Sequence, residues 1–200
     1  MRSLTMVSLM TLCPAGFVAG QEQLSMRVSV CNLGHVREFI LTEAKAEAET
    51  VFNTAGIRII WKDCDAFPSR EEQAREPLFI VRLIGGKPPH TAGPLSLDTM
   101  GKAYVPDSGR GHMADAYFKA IQDVAEHYRG DAGALLGLVI AHELGHLLRG
   151  LGHSKDGVMR TPWNGNEINA LRQRWFKFNA QDSARIRREL QSKPDRDREK

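Results

Sequence analysis

The chain has 200 residues and a formal net charge of +3, and 26% of its residues are charged. A chain of this length can bury one sizeable hydrophobic core, so the sequence predicts a single folded domain. The net charge is small, and no segment interleaves basic and aromatic residues. The composition therefore gives no indication of a nucleic-acid partner or of binding to an acidic membrane surface.

The first 20 residues have the features of a secretory signal peptide. Arg2 supplies a positive charge, residues 4–12 are largely apolar, and residues 18–20 end in small side chains suited to cleavage before Gln21. The apolar stretch is too short and too polar to span a bilayer. We therefore expect a secreted or periplasmic protein with no membrane contact after cleavage; the alternative is a cytosolic N-terminus without a signal.

The next segment predicts a strand, a helix and a second strand. Residues 26–30 alternate apolar and polar side chains, residues 36–54 repeat apolar side chains at a helical period that places Phe39 among the core-facing residues, and residues 57–61 are again strand-like. Cys31 and Cys64 fall at the ends of the two strands, which are neighbours in a right-handed βαβ unit. In an exported protein this placement predicts a disulfide, whereas in the cytosol both would be free thiols.

The middle of the chain contains further strand signals. Residues 78–84 form the most apolar run and are predicted to be the central strand. Residues 85–100 are rich in Gly and Pro and predict a loop, and residues 101–105 are typical of a short strand. The apolar patch at 116–118 is either a fifth strand or the start of a helix that continues through residues 121–125.

A cluster of histidines follows an apolar helical run at 134–141. If the helix continues, His142 and His146 lie one turn apart on the same face, where both imidazoles can bind one Zn²⁺. Glu143 lies beside them on the helix, offset from the two ligands. It is therefore a candidate general base that activates water without binding the metal.

A third ligand is predicted from the turn that follows the helix. Gly150 and Gly152 tolerate positive φ angles, so the chain can reverse there and bring His153 beneath the metal. Three histidines that leave one coordination position for water or substrate are typical of a catalytic zinc site.

This stretch resembles the metzincin clan of zinc endopeptidases, whose signature is H-E-x-x-H-x-x-G-x-x-H followed by a Met-turn. The matching residues are His142, Glu143, His146, Gly150 and His153, with Met159 as the Met-turn residue. The sequence departs from the signature by one extra residue between His146 and Gly150. We expect the helix to run one residue longer before it turns.

The resemblance implies an α+β fold: a mixed, mostly parallel twisted sheet, two long helices of which one carries the zinc motif, and a small C-terminal helical subdomain. It also implies that strand 101–105 is an antiparallel edge strand that pairs with extended substrate, although a purely structural edge strand is an equal alternative. The catalytic domain is predicted at 21–192, with a last helix capped by Asn179 or Asp182 and a disordered charged tail at 193–200.

The function implied by the resemblance is that of a zinc endopeptidase that cleaves protein or peptide substrates, and together with the signal-like N-terminus we expect a secreted or periplasmic monomer. Zn²⁺ would be bound by the three histidines, Glu143 would be the general base, and Met159 would form an apolar floor under the ligands. Two alternatives remain open from the sequence. One is a zinc-binding interaction protein without turnover, in which Asp156 could close the site. The other is a two-histidine site completed by Glu167.

Overall fold

The computed structural model describes residues 24–64, 78–88, 100–107, 111–169, 171 and 176–192. The predicted signal peptide at 1–20 and the predicted charged tail at 193–200 lie outside these residues, as does most of the predicted 85–100 loop.

The described strands form one mixed sheet, in the order β2-β1-β3-β5-β4. The strands are β1 (Leu24–Asn32), β2 (Ile57–Asp63), β3 (Leu78–Ile84), β4 (Gly101–Tyr104) and β5 (Met113–Tyr117). Strands β2, β1, β3 and β5 pair in parallel, and β4 pairs antiparallel with β5 at the edge. The predicted mostly parallel sheet with β3 at its centre is therefore confirmed, as is the antiparallel edge strand.

The described helices complete an α+β fold, as predicted. They are α1 (Glu38–Thr54), α2 (Phe118–Tyr128), α3 (Ala132–Arg149), α4 (Gly165–Asn169) and α5 (Ala180–Gln191). Both interpretations of residues 116–118 hold in part, because β5 ends at Tyr117 and α2 begins at Phe118. Within the described residues, none of the helices is both long enough and apolar enough to cross a membrane.

One core assignment from the helical pattern was wrong. Phe39 was expected to face the core, but its side chain is 61% exposed and the guanidinium of Arg37 lies over its ring. The cause is the position at which helix α1 begins. The Asn32 side chain bonds both the N–H and the carbonyl of Val36, so α1 begins only at Glu38, and Phe39 lies on the exposed side of its first turn.

Helix α3 is buried along most of its length, and it packs closely against α1. A Cβ at Gly137 would lie 2.6 Å from the Cβ of Glu47, so only glycine permits this approach of the two helices. Ala44 and Ala48 on α1 are also fully buried. The start of α3 is capped by Asp131, whose carboxylate accepts from the N–H groups of two residues in the first turn. The motif helix is thereby fixed in position.

A disulfide joins Cys31 and Cys64, as the sequence predicts, with the two Cα atoms 4.8 Å apart. The pairing follows from the topology. Cys31 lies near the end of β1, Cys64 follows β2, and these strands are parallel neighbours whose carboxyl ends meet at one edge of the sheet.

We predict that reduction of this disulfide destabilises the protein. Closing a loop with a sequence separation of 33 restricts the unfolded chain, which corresponds to about 3–4 kcal/mol in the chain-entropy description. The measurement is denaturant unfolding with and without a thiol reductant. A variant with both Cys31→Ser and Cys64→Ser is the control and should unfold at the same denaturant concentration in either buffer. Equal midpoints for the unmodified protein would contradict the prediction.

Candidate metal centre

Three imidazoles meet at the end of α3. His142 and His146 lie one turn apart on the helix, and their Nε2 atoms are 3.0 Å apart. After α3 the chain reverses through Gly150 and Gly152, whose φ angles of 83° and 93° are in the left-handed region that glycine tolerates. This turn brings the Nε2 of His153 to 3.3 Å from the Nε2 of His146. The extra residue before the turn does not prevent the convergence.

Backbone carbonyls fix the protonation of the two helical histidines. The Nδ1 of His142 is 2.8 Å from the carbonyl oxygen of Val158, and the Nδ1 of His146 is 3.3 Å from that of Gly150. A carbonyl can only accept, so in a neutral ring each Nδ1 carries the proton and each Nε2 presents a lone pair. Two lone pairs 3.0 Å apart repel each other, and a cation between them removes this repulsion.

The spacing of the nitrogens fits a tetrahedral metal. Zinc binds imidazole nitrogen at about 2.0–2.1 Å, which places two ligand nitrogens of a tetrahedron about 3.3 Å apart. Two of the three separations match this value, with 3.0 Å between His142 and His146 and 3.3 Å between His146 and His153, and all three ligand atoms lie within 4.8 Å of one another. The side chains present therefore fit a small tetrahedral cation.

Burial keeps the two helical imidazoles in the form that binds metal. Burial lowers the pKa of His142 to about 3, with a further contribution from the neighbouring His146. Burial likewise lowers the pKa of His146 to about 4, against the opposing effect of its bond to the Gly150 carbonyl. Both rings are therefore neutral at neutral pH, so binding a metal there requires no proton to leave them.

The segment that carries Met159 packs directly against α3. Met159 is fully buried, and a Cβ at Gly145 would overlap its sulfur atom. The backbone of the same segment bonds one ligand and the residue after another, because the Val158 carbonyl accepts from His142 and the Met159 carbonyl accepts from the N–H of Ser154, which follows His153. Met159 therefore packs against the motif helix at Gly145, the residue before His146, and its role as a Met-turn residue stays a prediction.

Glu143 lies between α3 and the edge strand β4. Its side chain is only 7% exposed, and it lines the same cleft as the three histidines. A Cβ at Gly101 would lie 2.7 Å from the Cγ of Glu143, so the missing side chain in β4 provides the space that the glutamate occupies. The carboxylate is thus beside the three nitrogens but not one of the converging ligands.

The centre opens into a cleft of about 300 Å³. Gly101 and Ala103 of β4 line one side, and Leu151 and Trp163 line the other. The Trp163 ring is buried and contacts the His142 ring edge-to-face, with centroids 5.7 Å apart. The cleft is therefore bounded by a strand edge on one side and by largely apolar side chains on the other.

The alternative ligands considered from the sequence have other partners. An oxygen of Asp156 accepts from the side-chain amide of Asn179 at 2.7 Å. Glu167 pairs with Arg160 and accepts from the N–H of Asn164 at 2.7 Å. Among the described residues, the group of metal-ligating side chains consists of the three histidines, whose ligand atoms lie within 4.8 Å of one another.

Two features of this centre were not predicted from the sequence: the glycines that shape it and the aromatic wall beside it. Gly145 lies inside the motif and Gly101 begins the strand predicted to line the cleft, so their positions offered a signal for close packing. Trp163 lies in a turn-rich segment without a periodic pattern, and no local feature of the sequence placed it against His142.

The sequence matches no protein-family model, and it matches no curated protein. Solved structures with the same fold include the archaemetzincin of Methanopyrus kandleri, with a TM-score of 0.52 and 16% identity over 88% of this chain and 100% of that chain. Metalloproteinase-II of Bacteroides fragilis matches with a TM-score of 0.54 and 15% identity, over 86% of this chain and 54% of that chain. The chain thus has a metzincin-like fold, and its histidine triad fits a metzincin-like zinc site.

Proposed function

We propose that this protein is a zinc-dependent endopeptidase. The observation that carries the proposal is the convergence of His142, His146 and His153 in a cleft that also contains the carboxylate of Glu143. The fold shared with an archaemetzincin and a bacterial metalloproteinase supports peptide hydrolysis over other zinc chemistry.

The three histidines would hold the ion and leave a position for water or substrate. A structural zinc site is normally closed by four protein ligands, often cysteines, whereas the described residues offer three histidines. When bound, Zn²⁺ supplies a Lewis acid that polarises the scissile carbonyl and lowers the pKa of the attacking water.

Glu143 would transfer the proton during hydrolysis. Its carboxylate accepts a proton from the attacking water and returns it to the leaving amine nitrogen, so the proton balance closes within one turnover. The packing of Glu143 against Gly101 supports this role, because it holds the carboxylate at the cleft in a fixed place. An exposed carboxylate would have to be ordered at each turnover.

The edge strand β4 would bind the substrate backbone. Among the described strands, β4 pairs with β5 alone, and a substrate strand added at its other edge would extend the sheet. Gly101 and Ala103 of β4 line the cleft, so an extended peptide paired with this strand would pass the metal centre. A peptide bound in this way continues on both sides of the scissile bond, which favours an endopeptidase.

We also propose that the protein acts outside the cytosol, either secreted or in the periplasm. The Cys31–Cys64 disulfide supports this location, since such bonds persist in oxidising compartments. The signal-like segment at residues 1–20 agrees with it.

We predict that His153→Ala weakens zinc binding by more than about 100-fold, since loss of a ligand costs more than loss of an outer hydrogen bond. Glu167→Gln is the matched control and should leave the affinity unchanged, because Glu167 bonds Arg160 and Asn164. The measurement is competition with a chromophoric chelator. If Glu167→Gln weakened zinc binding more than His153→Ala did, the result would support a two-histidine site completed by Glu167.

We predict that Glu143→Gln retains zinc but reduces peptide hydrolysis by about 10²- to 10⁴-fold, the usual contribution of a general base. The amide has the same shape and cannot take the proton. The measurement is cleavage of a denatured protein substrate, with zinc content determined on the same sample. Unchanged hydrolysis by this variant would falsify the proposed role, and a zinc-loaded unmodified protein without hydrolysis would favour a non-catalytic binding protein.

We predict a shallow pH dependence of zinc affinity. With pKa values of about 3 and 4, His142 and His146 stay mostly neutral as the pH falls from 6.5 to about 4.5, so at these two of the three ligands protons compete little with zinc. The logarithm of Kd should therefore change by no more than about one per pH unit in this range. Isothermal titration across the range measures the slope, and a slope near three would show that all three rings titrate.

A further inference from the structure

A buried ion pair joins the end of the motif helix to the C-terminal helix. Arg149 is the last residue of α3, and Asp182 lies in the first turn of α5. The Nε of Arg149 is 2.8 Å from Oδ1 of Asp182, and the two side chains are only 9% and 4% exposed. The Nε–H is not well aligned for a hydrogen bond, so the contact is chiefly between charges.

The same two side chains bond the residues on both sides of His153. Arg149 donates from Nη1 to the carbonyl oxygen of Gly152 at 2.5 Å. Asp182 accepts from the hydroxyl of Ser154 at 2.7 Å, and this hydroxyl also lies 3.5 Å from Nη2 of Arg149. The residues before and after the third ligand are therefore both bonded to one buried pair.

His153 needs such support more than the other two ligands do. His142 and His146 are held by the backbone of α3, whereas His153 is exposed and follows a turn with two left-handed glycines. Glycine gives the chain many alternative conformations, so an unrestrained turn would place this imidazole in many positions.

Asp182 is itself held in place by α5. Asn179 caps the helix and accepts from the N–H of Asp182 at 2.8 Å, and the positive end of the helix dipole favours a carboxylate in the first turn. Phe178, just before the helix, packs edge-to-face on Phe52 of α1, and Ile186 of α5 is fully buried. The C-terminal helix thus provides a fixed base for the pair.

We propose that Arg149 and Asp182 are positioning residues for His153, so that the C-terminal helix sets the metal affinity of the centre. A buried ion pair gives little net stability compared with apolar residues of similar size, so its value lies in the geometry that it imposes. Arg149 directly precedes Gly150, in the part of the motif that is one residue longer than the metzincin signature. The proposal rests on zinc binding by the triad, as proposed above, but not on peptide hydrolysis.

The test measures zinc affinity of Asp182→Asn and of the milder variant Ser154→Ala, by chelator competition with zinc alone. Both should bind zinc about 10–100-fold more weakly, the usual cost of losing a group that orients a ligand. Asp115→Asn is the matched control, because it disrupts another Arg–Asp pair, formed with Arg82 at 2.7 Å between β3 and β5. It should lower the melting temperature and leave the zinc affinity unchanged.

A second background shows whether the pair acts through His153. In His153→Ala, the addition of Asp182→Asn should change the zinc affinity less than about twofold, since the coupled effect has already been lost. The proposal would be overturned if Asp182→Asn weakened zinc binding equally in the native protein and in His153→Ala. It would also be overturned if Asp182→Asn and Ser154→Ala left the zinc affinity unchanged, or if the native protein bound no zinc. Peptide hydrolysis is measured in parallel, so a native protein that binds zinc but cleaves nothing would refute the endopeptidase assignment alone.

Discussion

The arrangement of the centre depends on two imidazole nitrogens that face each other at 3.0 Å. The carbonyls of Val158 and Gly150 hold the protons on the opposite sides of the rings, so both facing atoms present lone pairs. The fold imposes this repulsion through the buried helix α3, and a bound cation is the ordinary way to relieve it.

Close approach of backbone segments makes this convergence possible. Gly137 lets α1 pack against the motif helix, Gly145 lets Met159 reach it from another side, and Gly101 leaves room for Glu143 beneath the edge strand. Each glycine lies where an added Cβ would collide with a neighbouring side chain. The helix is therefore held by its neighbours at three places, and the ligands that it carries have little freedom to separate.

The sequence predicted the parts of the molecule that are governed by local pattern. The apolar run at 78–84 identified the central strand, and the helical repeat placed His142 and His146 on one face. The helical repeat wrongly placed Phe39 in the core, because a bond from the N–H of Val36 to the Asn32 side chain delays the start of the helix. The Arg149–Asp182 pair was not predictable either, since its members lie far apart in the sequence and no periodic pattern links them.

The most direct test of the metal centre is X-ray absorption spectroscopy of the zinc-loaded protein. We predict a first shell of four light atoms, with three imidazole nitrogens at about 2.0–2.1 Å and one oxygen. The spectrum should also contain the outer-shell scattering that is characteristic of three imidazole rings. A shell that contains sulfur, or one with fewer than three imidazoles, would contradict the convergence of His142, His146 and His153 on one ion.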